Sequence, residues 1–322
     1  MSQSNKLTSE QLQQRLRAGL VIPAHPLALT ADRKLDPQRQ RALSHYYLSA
    51  GSGGLAVAVH TTQFSIREPQ FKLLRPVLEL ACEVAREYPQ RQTLMISGIC
   101  GETNQAVQEA ELAASLGYHA GLLSLAAWSN HADDDLIEHA RCVSQSIPLV
   151  GFYLQPSVGG RHLSFDFWCR FCQIPEVVAI KVAPFNRYQT LDVMRAVQES
   201  GRASEIALLT GNDDSIVVDL LSEYSFGSET NRGIGFCGGL LGHWACWTRA
   251  SVVWMERLKA ARESGYRDDC FRKLSTLANQ ITDMNAAIFD AANNYRGCIA
   301  GIHEVLRRQG LLAGTWCLDP HE

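Results

Sequence analysis

The residue with the clearest chemical potential is a lysine inside an apolar run, Val177-Val178-Ala179-Ile180-Lys181-Val182-Ala183. The run is rich in β-branched residues and reads as a strand covered on both faces. A protonated amine in that setting loses its hydration shell, at a cost of several kcal/mol unless it is paired. Burial lowers a lysine's pKa and leaves a neutral amine able to attack a carbonyl carbon. The competing structural reading is a lysine at a strand end whose ammonium reaches back to solvent. Two other patterns carry less. Cys169 and Cys172 form a C-x-x-C, but no second pair or histidines at ligand spacing accompany it. Beside Phe165, Trp168 and Phe171 these cysteines read as helix core rather than a zinc site. Gly233-Ile234-Gly235-Phe236-Cys237-Gly238 is literally G-x-G-x-x-G. It lies in the last unit of the chain, with no β-α-β after it and no acidic residue about twenty positions on, so it does not read as a dinucleotide site. Its glycines suit close packing of a strand or an anion site of the kind barrels place after strands seven and eight.

The elements that must position Lys181 follow one rhythm. Apolar runs at 20–25, 54–59, 93–98, 120–125, 147–153, 177–183, 205–210 and 233–237 alternate with helical patterns. Helices read at 36–49, from Pro76 onward, from Thr103 to Gly117, from Asp133, and at 188–200 and 215–224. Eight strand–helix units predict an α/β fold, a (β/α)8 TIM barrel. A doubly wound sheet is the alternative, and the count of eight opposes it. From Trp244 the pattern is helical only, with Leu258, Leu274, Leu277, Ile281, Met284 and Ile288 in helical register. The predicted organisation is a barrel over 1–243, with a short N-terminal helix, and a C-terminal helical extension over 244–322 packed on it. Barrel enzymes build their sites at the C-terminal strand ends. Lys181 is near the end of the sixth run, Tyr153 ends the fifth, and Thr61 and Thr62 follow the second. Each has a bland alternative, half-buried packing for the tyrosine and loop capping for the threonines.

Composition narrows the class. The net charge of −3 comes with no concentration of Lys and Arg, so nucleic acid is not an expected partner. Residues 1–18 are polar and lack a secretory h-region, and no run of eighteen apolar residues exists. Ten cysteines scattered through apolar segments match reduced thiols, so the expected location is cytoplasmic, with no membrane partner.

At this point the chain resembles a known family, the dihydrodipicolinate synthase and N-acetylneuraminate lyase family of class I aldolases. The carriers are Gly54-Leu55-Ala56-Val57-Ala58-Val59-His60-Thr61-Thr62, Gly151-Phe152-Tyr153-Leu154-Gln155-Pro156, Val178-Ala179-Ile180-Lys181, Leu209-Thr210-Gly211-Asn212-Asp213-Asp214, Gly233-Ile234-Gly235-Phe236 and the tail 302–311. The resemblance implies that Lys181 forms a Schiff base with pyruvate or a related 2-oxo acid, for C–C bond formation or cleavage. Loss of a β-leaving group, as in a dehydratase, is the alternative on the same site. It implies that Tyr153 is the general acid/base and that Thr62 orients its hydroxyl. Thr61 and Thr62 would hold the substrate carboxylate, and Gly211, Asp213 and Gly235 would border the substrate. It implies no organic cofactor, no metal, and a homo-oligomer, tetramer or dimer. A non-catalytic paralogue that binds an oxo acid is the rival.

The chain departs from the family pattern. His60-Thr61-Thr62-Gln63-Phe64 stands where the family often has Gly-Thr-Thr-Gly-Glu. Leu125-Ala126-Ala127-Trp128 replaces a Pro-Tyr-Tyr segment, and Val158 replaces an arginine, with Arg161 nearest. Those losses oppose a role in lysine biosynthesis. Asp213 and Asp214 resemble an acidic pair that binds sugar hydroxyls, or else cap the 215–224 helix. Phe236 stands for a serine, and with Trp128 and Phe64 predicts an apolar outer pocket. The roles of His60, Arg161 and Asp214 stay open.

Overall fold

The computed structural model describes residues 7–226, 233–265 and 268–321. Eight parallel strands form the sheet: β1 (Val21–Pro23), β2 (Gly54–Val57), β3 (Leu94–Ile99), β4 (Ala120–Leu123), β5 (Leu149–Leu154), β6 (Val177–Ala183), β7 (Ala207–Thr210) and β8 (Gly238–Leu241). Neighbours in sequence are neighbours in the sheet, and β1 pairs with β8. The ring closes between β1 and β2, where Ala24 bridges Ala56 and the His25 N–H donates to the Ala56 carbonyl at 2.8 Å. This is a (β/α)8 barrel, as the strand–helix rhythm predicted.

The helices between strands are α2 (Pro37–Ala50), α3 (Leu74–Arg86), α4 (Thr103–Leu116), α5 (Asp133–Ser144), α6 (Phe165–Phe171), α7 (Arg187–Glu199) and α8 (Ile216–Leu221), preceded by α1 (Ser9–Arg17). Their ends follow local chemistry. Asp36 caps α2 by accepting from the Arg39 N–H, Pro37 occupies its first turn, and Gly51 ends it at φ +100°. Three aspartates, Asp133 to Asp135, fill the first turn of α5, where the dipole favours negative charge. Leu12 and Leu16 of α1 pack with the apolar residues inside the barrel. They close it at the end opposite the strand C-termini. After β8 come α9 (Gly242–Cys246), α10 (Thr248–Glu263), α11 (Asp268–Ile288) and α12 (Cys298–Arg308). Within this tail α11 packs on α8 and α12 on α9. None of the described helices is long and apolar enough to cross a membrane.

The eighth strand differs from expectation. Residues 233–237 precede it, and Ile234 instead bridges Tyr224 in antiparallel fashion. The strand itself is Gly238-Gly239-Leu240-Leu241, directly after the expected run. Two glycines fit there because neighbouring backbone crowds them. A Cβ on Gly238 would meet the Leu20 carbonyl oxygen at 2.7 Å, and one on Gly239 the Thr210 oxygen at 2.9 Å. The G-x-G-x-x-G segment therefore does not sit between a strand and a helix.

Alternation along β5 and β6 separates two layers. Val150, Phe152, Leu154, Ala179 and Ala183 belong to the barrel interior. Tyr153, Ile180 and Val182 belong to the layer between strands and helices. The register pairs Phe152 with Lys181, so both project inward from adjacent strands.

Candidate active site

A pocket opens at the C-terminal ends of the strands, and Lys181 lies in its wall together with Thr61, Phe152, Gly211 and Asp213. The lysine amine sits 4.4 Å from the centre of the Phe152 ring, a contact that favours a cation on the ring face. Burial nevertheless dominates and pushes the amine down to about 8, with the Asp213 charge opposing the shift. The path of this side chain depends on Gly211. A Cβ there would lie 2.6 Å from Lys181 Cε and 2.8 Å from the Ala183 Cβ. The glycine is where the β7 backbone leaves room for the lysine. His60 also lines the pocket, and burial plus the nearby Lys181 charge push it down to about 4, so the imidazole stays neutral. The Thr61 hydroxyl is buried without a partner and is free to bind a ligand.

Among the described residues, Asp213 is the one carboxylate in the pocket wall. Its Oδ1 accepts from the His243 N–H at 3.1 Å, and its backbone carbonyl accepts from Asn285 Nδ2 at 2.6 Å. Asn285 also pairs with the His243 ring, and Thr282 donates to the Asp214 carbonyl. The helical tail thus clamps the turn that presents Asp213. Burial raises Asp213 to about 7, against the lowering effect of the His243 and Gly242 N–H groups and of Lys181. The same turn is braced from below by Asp219, fully buried, which accepts from Thr210 Oγ1 at 2.6 Å, Asn212 Nδ2 at 2.9 Å and the Arg187 guanidinium at 2.6 Å. Asp219→Ala strands the Thr210 and Asn212 donors in the core. It is expected to cost roughly 2–4 kcal/mol, read as a lower urea midpoint at unchanged slope. A midpoint like that of the unmodified chain would show that the brace is idle.

No family model matches this chain. A curated relative, the 4-hydroxy-tetrahydrodipicolinate synthase of Cyanothece sp., is 25% identical over 209 residues, which is 63% of this chain and 66% of that protein. The match thus spans just under two thirds of the relative. Among solved structures, the pyruvate complex of dihydrodipicolinate synthase from Acinetobacter baumannii superposes at TM-score 0.73 with 18% identity, covering 92% of this chain and 90% of the other. N-acetylneuraminate lyase from Mycoplasma synoviae superposes at 0.71 with 15% identity, covering 95% and 92%. The chain is thus similar in sequence, over about two thirds of its length, to 4-hydroxy-tetrahydrodipicolinate synthases, and shares its barrel fold with solved dihydrodipicolinate synthases and N-acetylneuraminate lyases.

Set beside the family pattern, the residues divide. Lys181, Thr61, Gly211 and Asp213 are brought together in one pocket. Thr62 is not among them. It is fully buried, its hydroxyl donates to the His25 carbonyl at 2.6 Å and accepts from the Val59 N–H at 3.2 Å. It fastens the β2 loop to the end of β1. Tyr153 is not in the pocket wall either. Its ring packs 5.5 Å from Trp168 of α6, and its hydroxyl donates to the Leu163 carbonyl and accepts from the Leu163 N–H, both at 3.2 Å. The family-like tyrosine therefore faces the helical layer, and Phe152 holds the inward position beside Lys181. Tyr153→Phe is expected to leave turnover within a few-fold, while losing about 1 kcal/mol of stability with the two hydrogen bonds. A loss of two orders of magnitude in rate would return the tyrosine to the chemistry.

Other expectations shift in the same way. Gly235 lies against the Ser222 carbonyl and Arg262, away from the pocket, and Gly242 after β8 lines it instead. Phe236 is fully buried against Tyr224. Trp128 stacks with His131 and His139, and Phe64 with His60, so none of the three supplies the outer wall. An apolar wall exists, made by Phe152, Phe185, Phe289 and Ile302. Arg161 is held by the carbonyls of Trp128 and His131, at the edge of a small adjoining cleft behind Phe152 and Leu154. The helix after β7 starts at Ile216 with Ser215 as its cap residue, so Asp213 and Asp214 do not cap it. Tyr295 and Cys298, which line the pocket from the tail, had no signal in the sequence beyond helical spacing around them. Among the described residues no cluster of three or more metal-binding side chains occurs.

Proposed function

We propose that this chain is a lyase of the aldolase type that forms a Schiff base between Lys181 and pyruvate or a similarly small 2-oxo acid. The observation that carries the reading is the Lys181 amine itself. It is buried, depressed toward neutrality, and directed into a pocket at the catalytic end of the barrel. Size supports the substrate class. The free volume of about 60 Å³ corresponds to roughly four to six water positions, which suits a molecule of about six non-hydrogen atoms. The Thr61 hydroxyl and the neutral His60 would receive the substrate carboxylate without a fixed positive charge, which would oppose formation of the iminium. The apolar wall, with no arginine among the described residues that line the pocket, favours a second substrate, or leaving portion, without a carboxylate or many hydroxyls.

The test is reduction with borohydride in the presence of pyruvate. A single reduced pyruvyl group should appear on the peptide containing Lys181. An unmodified chain under those conditions would remove the Schiff-base reading. The outward-facing Tyr153 favours a second reading, a binding protein that has lost turnover, because the pocket then lacks the family's proton-transfer group. Trapping without turnover of any oxo acid and aldehyde pair would support that alternative.

A further inference from the structure

We infer that Asp213 is the proton-transfer residue of the reaction begun at Lys181, an inference that rests on the Schiff-base reading. Three observations converge on it. Asp213 and Lys181 lie in the wall of one pocket, Lys181 on β6 and Asp213 on the turn that follows the adjacent parallel strand β7. The phenol that the family pattern assigns to proton transfer is sealed against Trp168 and Leu163. And the Asp213 carboxylate is held in place rather than free, by the His243 N–H from α9 and through Asn285 of α11. A general acid or base must be held so, within reach of the atoms that exchange protons.

Two other titratable wall residues, His60 and Tyr295, suit the task less well. His60 is too weak a base when its conjugate acid ionises near 4. Burial and the neighbouring acids raise the Tyr295 phenol above its usual value, away from neutral pH. Burial brings Asp213 close to neutrality, where both of its protonation states are accessible.

The chemistry balances without any other reactant. The neutral Lys181 amine adds to the ketone carbon, and its own proton passes to the oxygen to give a neutral carbinolamine. The protonated Asp213 carboxyl gives its proton to the departing hydroxyl. Water leaves, the C–N bond becomes a cationic iminium, and Asp213 becomes a carboxylate. That carboxylate then takes a proton from the adjacent methyl group. The C–H electron pair forms the C=C bond of the enamine, the iminium charge is discharged, and Asp213 is protonated again. The carboxylate also lies near the iminium while that group is charged, which stabilises the intermediate.

The experiment separates methyl deprotonation by Asp213 from the capacity of Lys181 to form the adduct. The full chain, unmodified and as Asp213→Asn, is incubated with pyruvate in D2O. Exchange of the methyl protons is followed by NMR, and borohydride trapping is carried to its end point in parallel. Asparagine keeps the shape and an oxygen acceptor for the His243 N–H but cannot carry the proton. The expected result is trapping to full extent, with exchange slowed by roughly 10²–10⁴-fold. Asp213→Glu is expected to recover part of the exchange. Exchange within a few-fold of the unmodified chain in Asp213→Asn overturns the assignment. No adduct at the trapping end point in either variant, while both remain folded, would also overturn it, because a slowed proton transfer delays the adduct without preventing it, and would make Asp213 a positioning residue for Lys181. Absence of any adduct on the unmodified chain would overturn the Schiff-base reading itself, and this inference with it.

Discussion

Lys181→Ala should give a folded barrel that neither turns over substrate nor takes up pyruvate on reduction. On the proposed mechanism Lys181 supplies the covalent step, so the expected loss is roughly 10⁴-fold or more, at the level where covalent nucleophiles dominate a rate. The fold should survive because the substitution removes an amine that burial disfavours in its charged form. What is lost is the packing of the lysine stem over Gly211 and the contact with Phe152. A melting temperature close to that of the unmodified chain is therefore expected, and it is the control that gives the kinetic loss its meaning. The substitution also removes the positive charge that lowers Asp213. The carboxyl should then ionise at still higher pH, which a titration followed by NMR on this variant can read. Residual trapping by the variant would show that another amine does the chemistry and would remove Lys181 from the mechanism.

The sequence made the barrel readable because each strand run is apolar on both faces and each helix has a periodic stripe and a recognisable end. It made Lys181 readable for the same reason, since a charged residue in such a run is anomalous wherever the run is placed. Register was not readable. In β5 both Phe152 and Tyr153 suit a strand, and a shift of one residue exchanges the faces they occupy. The face is settled by the pairing of β5 with β6, which carries an irregularity between Leu149 and Val150 and then matches Phe152 to Lys181. The family-like spelling around Tyr153 points to the opposite face. The eighth strand was displaced for a related reason. Gly238 and Gly239 lower the apparent strand character of the true segment, and only the neighbouring backbones explain why glycine is needed. The roof of the pocket comes from the tail, where Phe289 and Tyr295 stand in irregular chain between α11 and α12. Helical periodicity showed that the tail packs against something, but not that it completes the site.

Gly211→Ala is the substitution with the largest expected effect outside the reacting groups. The reason is purely steric. An added methyl would lie 2.6 Å from Lys181 Cε, 3.1 Å from Lys181 Cγ and 2.8 Å from the Ala183 Cβ. The lysine end can swing, but the Ala183 Cβ is fixed by the β6 backbone, so the clash is resolved mainly by moving the amine. Displacing a reacting atom by about 1 Å can cost roughly 10²-fold in rate, and that is the expected fall in the initial rate of borohydride trapping at saturating pyruvate. Overpacking should cost a further 1–3 kcal/mol of stability, roughly the range for an added core methyl. The two readouts distinguish causes. A slow trapping rate in a chain that is still folded at the assay temperature locates the damage at the lysine. An undiminished rate would mean that the amine reaches its attacking position by another route and that the contact with Gly211 does not set it. Gly211 then separates two accounts of the pocket. In one, the residue borders the substrate, as the family pattern implies, and alanine would chiefly raise KM. In the other, which the packing against Lys181 supports, alanine slows formation of the covalent adduct even when substrate is saturating.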